Sequence, residues 1–317
     1  MSSLDKYWQM SYLEDCQHYS TEGQLPNAAP SATDPPESRD SVQRPDIKKV
    51  TIHDMRTRPP FELDVSGFVW IKHQLPYDAD SLRSNDFVKS TYFEHIRSLL
   101  LTRFPQYKDI IYGGHVLRKR DPRFPAMPST RAEEISTQPI PIPHLDHTPA
   151  SGARRLKELL LDHVGLASNA GHANRDFTLP VFDQLNVWRV LKGPNNDWPL
   201  ALCDFTSVDT ETEAFSMEYM MRDGPAELSY LRRSPRHRWY YVSSQETEDI
   251  LVFRNTASDG RKKPCAYATY IYQTLMTGTV AWHASFDHGG GDDSLRESVE
   301  LHLFAILGEG YSIEGSR

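Results

Sequence analysis

Cysteine is scarce in this chain: Cys16, Cys203 and Cys265 are the only three in 317 residues, and no two stand in Cys-x-x-Cys spacing. That excludes a disulfide framework and a cysteine-held zinc site. Long apolar runs are missing too. No stretch approaches the ~18 residues needed to span a membrane. The N-terminal "MSSLDKYWQMSYLEDCQ" has neither the basic start nor the apolar core of a signal peptide. The expected setting is a reducing, soluble compartment, the cytoplasm. Positive charge is short: 35 Lys and Arg face 43 Asp and Glu, for a net charge of −8. Phosphate backbones need a concentrated basic face, so nucleic acid is not an expected partner. The two dense basic clusters, "LRKRDPR" (117–123) and "LRRSPRHR" (231–238), read as solvated loops or edge strands. There is no Gly-x-Ser-x-Gly and no cysteine beside a plausible base, which leaves a nucleophilic hydrolase without support. No internal repeat is found.

What is present is enough to build a core: 38% hydrophobic residues, 11% aromatic. Residues 1–46 are expected to form an N-terminal arm, partly flexible, because 20–46 are rich in Pro, Ser and acids. Residues 47–317 are expected to form one domain. Strands are predicted over 48–55, 66–74 and 109–120, and a helix over 84–104, with Phe87, Tyr92, Ile96, Leu99 and Leu100 near one stripe and Ser84 or Asn85 as its cap. A second amphipathic helix is predicted over 151–165, burying Leu156, Leu159, Leu160 and Val164. From about residue 180 the pattern is strand-rich, over 185–192, 199–208, 237–244, 248–255, 267–275, 278–286 and 294–307, with turn residues between. The expected fold is mainly β with flanking helices, a double-stranded β-helix (jelly roll, cupin-like) core with the helices packed on one sheet.

The last strand carries most information. Side chains alternate across a strand. In "RESVELHLFAI" one face holds Val299, Leu301, Leu303 and Ala305, and the other Arg296, Ser298, Glu300, His302, Phe304 and Ile306. An Arg-x-Ser pair facing a barrel interior needs an anionic partner, since an unpaired buried charge is expensive. A solvated sheet face is the competing reading of the same pattern.

Earlier, "PIPHLDHTPASG" holds His144, Asp146 and His147. Chance alone gives about two His-x-acid triplets in such a composition, so the spelling proves nothing by itself. Yet His-x-Asp on an extended segment points both side chains the same way. Two His and one carboxylate form the facial triad of non-heme Fe(II) oxygenases, which leaves positions open for a cosubstrate and O2. The third ligand must come from a distant strand. His283 fits best: it lies in the apolar "TVAWHASF" and precedes Arg296 by thirteen residues, one turn and one return strand. Arg296 would then lie deeper, where the far carboxylate of 2-oxoglutarate would bind. His288 sits on a Gly-rich loop, and His302 is better suited to line the pocket.

Here the chain resembles a known family. "HLDHT", "NVWRVLKGPNNDWPLALCD" (186–204), "RWYYVSSQETEDILVFR" (238–254), "WHASFD" and "RESVELH" fall in the order seen in the Fe(II)/2-oxoglutarate oxygenases of mainly fungal secondary metabolism. That group includes gibberellin-desaturase-like, cephem-methoxylase-like and meroterpenoid-endoperoxidase-like enzymes, and the resemblance runs from about 48 to 307. It implies Fe(II) held by His144, Asp146 and His283, and 2-oxoglutarate held through Arg296 and Ser298. Thr148 either touches the cosubstrate or only closes the turn before the helix. Asn186, Trp188, Arg189, His302 and Phe304 are the candidate substrate-binding residues. Arg189 has an ion-pair role and Phe304 a core role as their alternatives. The implied reaction oxidises a C–H bond of a small secondary-metabolite or amino-acid-derived substrate with O2, by hydroxylation, desaturation or oxidative cyclisation. The expected partners are that small molecule and O2, with a homodimer left open. Two rivals stand beside this reading: a cupin-type metal enzyme without 2-oxoglutarate, and a non-catalytic jelly-roll binding module. The link from 256 to 281 is longer than the family pattern leads one to expect, and no role is assigned to it.

Overall fold

The computed structural model describes residues 6–12, 46–58, 60–126, 137–163, 178–221, 224–258, 279–289 and 294–308. Most of the expected arm, the helix end at Val164, the strand expected over 267–275, and most of the long 256–281 link lie outside them.

The chain lays down β1 (Lys6–Tyr12), β2 (Asp46–Asp54) and β3 (Phe68–Lys72), then helix α1 (Phe93–Arg103) and β4 (Tyr107–Lys119). The short β5 (His144–Leu145) and helix α2 (Pro149–His163) follow. The remaining strands are β6 (Val181–Val190), β7 (Leu200–Cys203), β8 (Ala214–Met221), β9 (Gly224–Leu231), β10 (Trp239–Tyr241), β11 (Asp249–Ala257), β12 (His283–Ser285) and β13 (Glu297–Leu307). They form an eight-stranded sheet, β1-β2-β10-β7-β12-β5-β9-β8, and a five-stranded sheet, β3-β11-β6-β13-β4. Every pairing is antiparallel except β10 with β2. This is the jelly-roll architecture expected from the sequence. No described helix is long and apolar enough to cross a membrane.

The five-stranded sheet has two differently used faces. Outward, Val299, Leu301, Leu303 and Ala305 of β13 join Leu185 and Val187 of β6 and Ile250 and Val252 of β11 in one core. Ile96 and Leu100 of α1 close it, with Val88 and Tyr92 from the turn before that helix. Ser84 caps the entry, its hydroxyl accepting from the Phe87 N–H at 3.4 Å. Inward, Trp188, Val190, Leu251 and Phe253 meet Leu200, Leu202, Tyr240 and Ala281 of the other sheet. The alternation read in β13 is therefore real, and the burial of Arg296 and Glu300 (2% and 6% exposed) rules out a solvated face.

Helix α2 lies on the inner side instead. Leu156 and Leu160 pack on Phe182, Phe304 and Ile306, closing one end of the space between the sheets. Gly152 permits the approach: a Cβ there would stand 2.8 Å from Thr256 Cγ2.

The β8–β9 hairpin was not among the predicted strands. Its "AFSMEYMM" and "AELSYL" carry Ala, Glu, Met and Leu, which favour helix, and only the Asp-Gly-Pro between them signals a turn. The basic cluster after it is also not simply solvated. Arg236 and His237 meet Glu213 at 2.7 and 2.9 Å, and Arg238 meets Asp204 at 2.8 Å. Burial pushes the Glu213 carboxyl up, but hydrogen bonds from Arg236, the Asp209 N–H and His237 outweigh it and bring it down to about 2. A pKa lowered by folding contributes stability above the unfolded value of about 4.3, lost as pH falls toward 2. Glu213→Gln should therefore cost stability at pH 7 and reduce the loss between pH 4.3 and 2, as read by urea unfolding across that window.

Candidate metal centre

Strands β5 and β12 run antiparallel with His144 directly opposite His283. The two imidazole rings stand with centroids 4.3 Å apart. Asp146 follows two residues after His144 and turns to the same side, as the alternation requires. Its Oδ1 lies 3.4 Å from His144 Nε2 and 3.8 Å from His283 Nε2. One ligand atom from each of the three residues falls within 4.8 Å of the others.

The protonation states suit a cation. His144 Nδ1 is 2.7 Å from the Ile142 carbonyl, which can only accept, so Nδ1 carries a proton and Nε2 is the nitrogen turned toward Asp146. Burial, then the neighbouring His144, pushes His283 down to about 4, leaving it neutral near pH 7. For Asp146 burial acts upward, but His144, His283 and His302 together hold the carboxyl well below its usual range. A carboxylate and two imidazoles within reach of one point are a ligand set for a divalent metal.

Asp146 is oriented from the opposite sheet. Its Oδ2 accepts from the side-chain amides of Asn186 on β6 and Asn255 on β11, each at 2.7 Å. Asn255 Oδ1 also accepts from the Asp146 backbone N–H at 2.8 Å. Asn186 Nδ2 further donates to Glu300 at 2.8 Å, and its Oδ1 accepts from Asn255 at 3.3 Å. With Oδ2 held by two donors, Oδ1 is left toward the histidines. His302 Nε2 lies 3.9 Å from Asp146 Oδ2, so it flanks the cluster on the remaining side. Asp146, Glu300 and His302 also fall within metal-ligating distance of one another.

Arg296 is buried, and its Nη1 donates to the Trp198 carbonyl at 2.6 Å and to Oγ of Ser285, two residues after His283, at 2.7 Å. Its guanidinium lies 5.7 Å over the Trp188 ring. Asp197 holds the strand entry, accepting from the Arg296 backbone N–H and from Arg120 Nε, both at 2.7 Å. Burial, then the nearby Arg118 charge, pushes Arg296 down to about 9 despite Asp197 and Glu300. Among the described residues, Arg296 Nε and Ser298 Oγ are buried with no partner. Two orphaned polar groups side by side, one cationic, fit a carboxylate.

The other expected residues fall in different places. Thr148 is the cap of α2: its hydroxyl accepts from the Ser151 N–H at 3.3 Å and donates to Glu227, and its N–H bonds the Glu227 carbonyl. Of its two readings, this is the one that closes the turn. Asn186 spends its amide hydrogens on Asp146 and Glu300 rather than facing open space. Arg189, next but one to Val187, lies on the outer face and does not join the cluster; its Nε donates to Tyr92 at 3.1 Å. Phe304 packs edge-on to Phe182 beneath α2. His147 is held by Gln184 at 3.0 Å.

Residues that the sequence reading passed over are Asn255, Ser285, Glu300 as a partner of Asn186, and Arg118. Asn255 and Ser285 were findable: each follows an inward residue, Phe253 or His283, by two positions. Arg118 was hidden in a basic cluster, and it stands opposite Ser298 in register.

A family model described as an oxidoreductase/YMDC permease-like domain matches residues 10–306. The chain belongs to this family. Several proteins similar to it carry oxygenase or desaturase names. The dioxygenase nvfI of Aspergillus novofumigatus, named as Fe(II)/2-oxoglutarate-dependent, is 28% identical over 236 residues, 69% of this chain and 75% of that one. The GA4 desaturase of the Gibberella fujikuroi gibberellin cluster is 25% identical over 200 residues, 57% and 55% of the two chains. A solved structure of the iron and alpha-ketoglutarate-dependent endoperoxidase NvfI superposes with a TM-score of 0.70 at 21% identity, covering 97% of this chain and all of that one. The jelly-roll fold seen here is thus also the fold of that endoperoxidase.

If the amide clamp sets the Asp146 donor, Asn255→Ala should weaken divalent metal binding about 10–100-fold. Titration with Co(II), followed by its visible absorption, measures this directly; unchanged affinity would remove the clamp from the metal site.

Proposed function

We propose that this chain is a non-heme Fe(II)/2-oxoglutarate-dependent dioxygenase that oxidises a C–H bond of a small secondary-metabolite or amino-acid-derived molecule. The observation that carries the reading is the pair of orphaned groups, Arg296 Nε and Ser298 Oγ, beside the His144–Asp146–His283 cluster, the Arg296 guanidinium donating to Ser285 on the same strand as His283. A metal enzyme without 2-oxoglutarate has no use for that pair, and neither does a binding module. The names of the similar proteins, which span a dioxygenase, a desaturase and an endoperoxidase, support the same class.

In this reading His144, Asp146 and His283 hold Fe(II), and Arg296 with Ser298 grips the distal carboxylate of 2-oxoglutarate. Bound together, the metal and cosubstrate supply the oxidising power for an unactivated C–H bond, with O2 consumed and succinate and CO2 released. The chain's own residues do the rest. Trp188 supports the Arg296 guanidinium from below. Asn186 and Asn255 hold Asp146 Oδ2 and so leave Oδ1 turned toward the histidines. His302, partly exposed, is the side chain beside the metal that faces the substrate. It stands opposite Gly114, where a Cβ would meet nothing within 4 Å, so this side has room for a substrate. Trp188 lines the cosubstrate side, whereas Asn186, Arg189 and Phe304 serve structure. The hydroxylation, desaturation or cyclisation outcome follows from where the substrate carbon rests beside His302. The proposed setting is the cytoplasm, and a homodimer is an open assembly.

The test is anaerobic Fe(II) loading followed by O2 and 2-oxoglutarate. Wild type should release succinate, slowly without substrate and faster when a substrate is found. Arg296→Ala should raise the KM for 2-oxoglutarate about 10–100-fold, the loss of a charge-assisted hydrogen bond pair. Absence of succinate from the loaded wild-type protein would sink the assignment.

A further inference from the structure

On the outer face of the five-stranded sheet, a second polar cluster takes no part in the chemistry above. Arg189 is 0% exposed there. Its Nε donates to the Tyr92 hydroxyl at 3.1 Å, and its Nη1 to the carbonyls of His73, at 3.4 Å, and Thr247. The guanidinium also lies 5.7 Å over the Tyr92 ring. All these partners are neutral. Among the described residues no carboxylate pairs with Arg189, and its Nη2 has no partner at all.

Three more orphans lie in the stretch after β3 and in α1, and each interacts electrostatically with Arg189. His73 and His95 meet edge to face with centroids 4.8 Å apart, and Tyr77 meets His95 at 5.8 Å. His73 Nδ1, His95 Nε2 and the Tyr77 hydroxyl are each buried without a partner. The Arg189 charge acts on all three groups. Burial first, and Arg189 with it, holds both imidazoles below their ordinary value, so each is neutral and has one N–H to donate. Buried polar groups in native proteins are almost always satisfied, and a buried cation without a counter-charge is costly. A hydroxyl and two neutral imidazoles can accept as well as donate, but none of them carries a negative charge, so the Arg189 charge is what calls for an anion. A water molecule would satisfy some of the donors and leave the charge. The four donor atoms are closed off from solvent, which suits a monatomic ion better than a carboxylic acid.

We propose that Arg189, His73, His95 and Tyr77 form a binding site for a small inorganic anion of the halide class. It stands on the opposite face of β6 from Asn186, and so is separate from the metal centre. The bound ion would join the stretch after β3, helix α1 and β6 at one point.

The test uses the full chain in chloride-free buffer. Sodium chloride and sodium bromide should raise Tm in a saturable way that sodium gluconate at matched ionic strength does not. A crystal soaked in bromide should give an anomalous peak beside Arg189 Nη2. Tyr77→Phe should raise the halide concentration for half-maximal stabilisation about tenfold, the loss of one hydrogen bond to a charged group. Arg189→Met should abolish the halide response; if that variant fails to fold, Tyr77→Phe and the bromide crystal decide alone. Equal effects of halide and gluconate, or a water in place of the anomalous peak, would overturn the proposal.

Discussion

One carboxylate ties the two sheets together at the centre of this protein. Asp146 belongs to the eight-stranded sheet's side, yet its Oδ2 is held by two amides of the five-stranded sheet. A buried carboxylate facing two imidazoles is tolerable only when its lone pairs are met, and the amides meet them on one oxygen while leaving the other free. The spacing between the sheets therefore sets the spacing of the candidate ligands. Anything that moved β6 or β11 relative to β5 would move Oδ1 relative to His144 and His283.

The five-stranded sheet works as a partition. Outward it carries the aliphatic core under α1, along with the Arg189 cluster. Inward it carries Trp188, Phe253, Asn186, Asn255, Ser298, Glu300 and His302 in rows. Period-two alternation lets one strand serve both sides without compromise. Burial on both faces also explains why β6, β11 and the entry to β13 contain charged residues that are nonetheless enclosed: Arg189, Arg254 and Arg296 are among the most completely buried large side chains. Arg254 is neutralised by Asp183 at 3.0 Å and Asp64 at 2.7 Å. Among the described residues Arg189 and Arg296 have no such partner, and those two places are where ligands are proposed. The contrast among three buried arginines says more than any one of them alone.

Much of this was readable beforehand, and the reason is geometric. His-x-Asp and the Arg296–Ile306 alternation are local patterns, because side-chain direction along a strand depends only on residue count. The same holds for α2, whose Leu156 and Leu160 repeat at helical spacing. The β8–β9 hairpin was not readable because its composition favours helix and its strand state comes from pairing with β5, a tertiary effect. Thr148 and Arg189 had two readings each, and only contacts with Glu227 and Tyr92 from distant segments separated them.

Residue order along the chain was thus enough to point to the jelly roll and to nominate His144, Asp146, His283, Arg296 and Ser298 as candidates, from the strand-and-turn pattern, side-chain alternation, spacing and the family resemblance. It could not say that Asn186 and Asn255 converge on Asp146, that Phe304 lies beneath α2, or that Arg189 faces away from the metal centre toward His73, His95 and Tyr77. Those facts depend on how strands far apart in sequence are ordered side by side and which way each sheet turns its faces. Distances across a fold arise from packing, and packing is a property of the assembled sheets rather than of any segment.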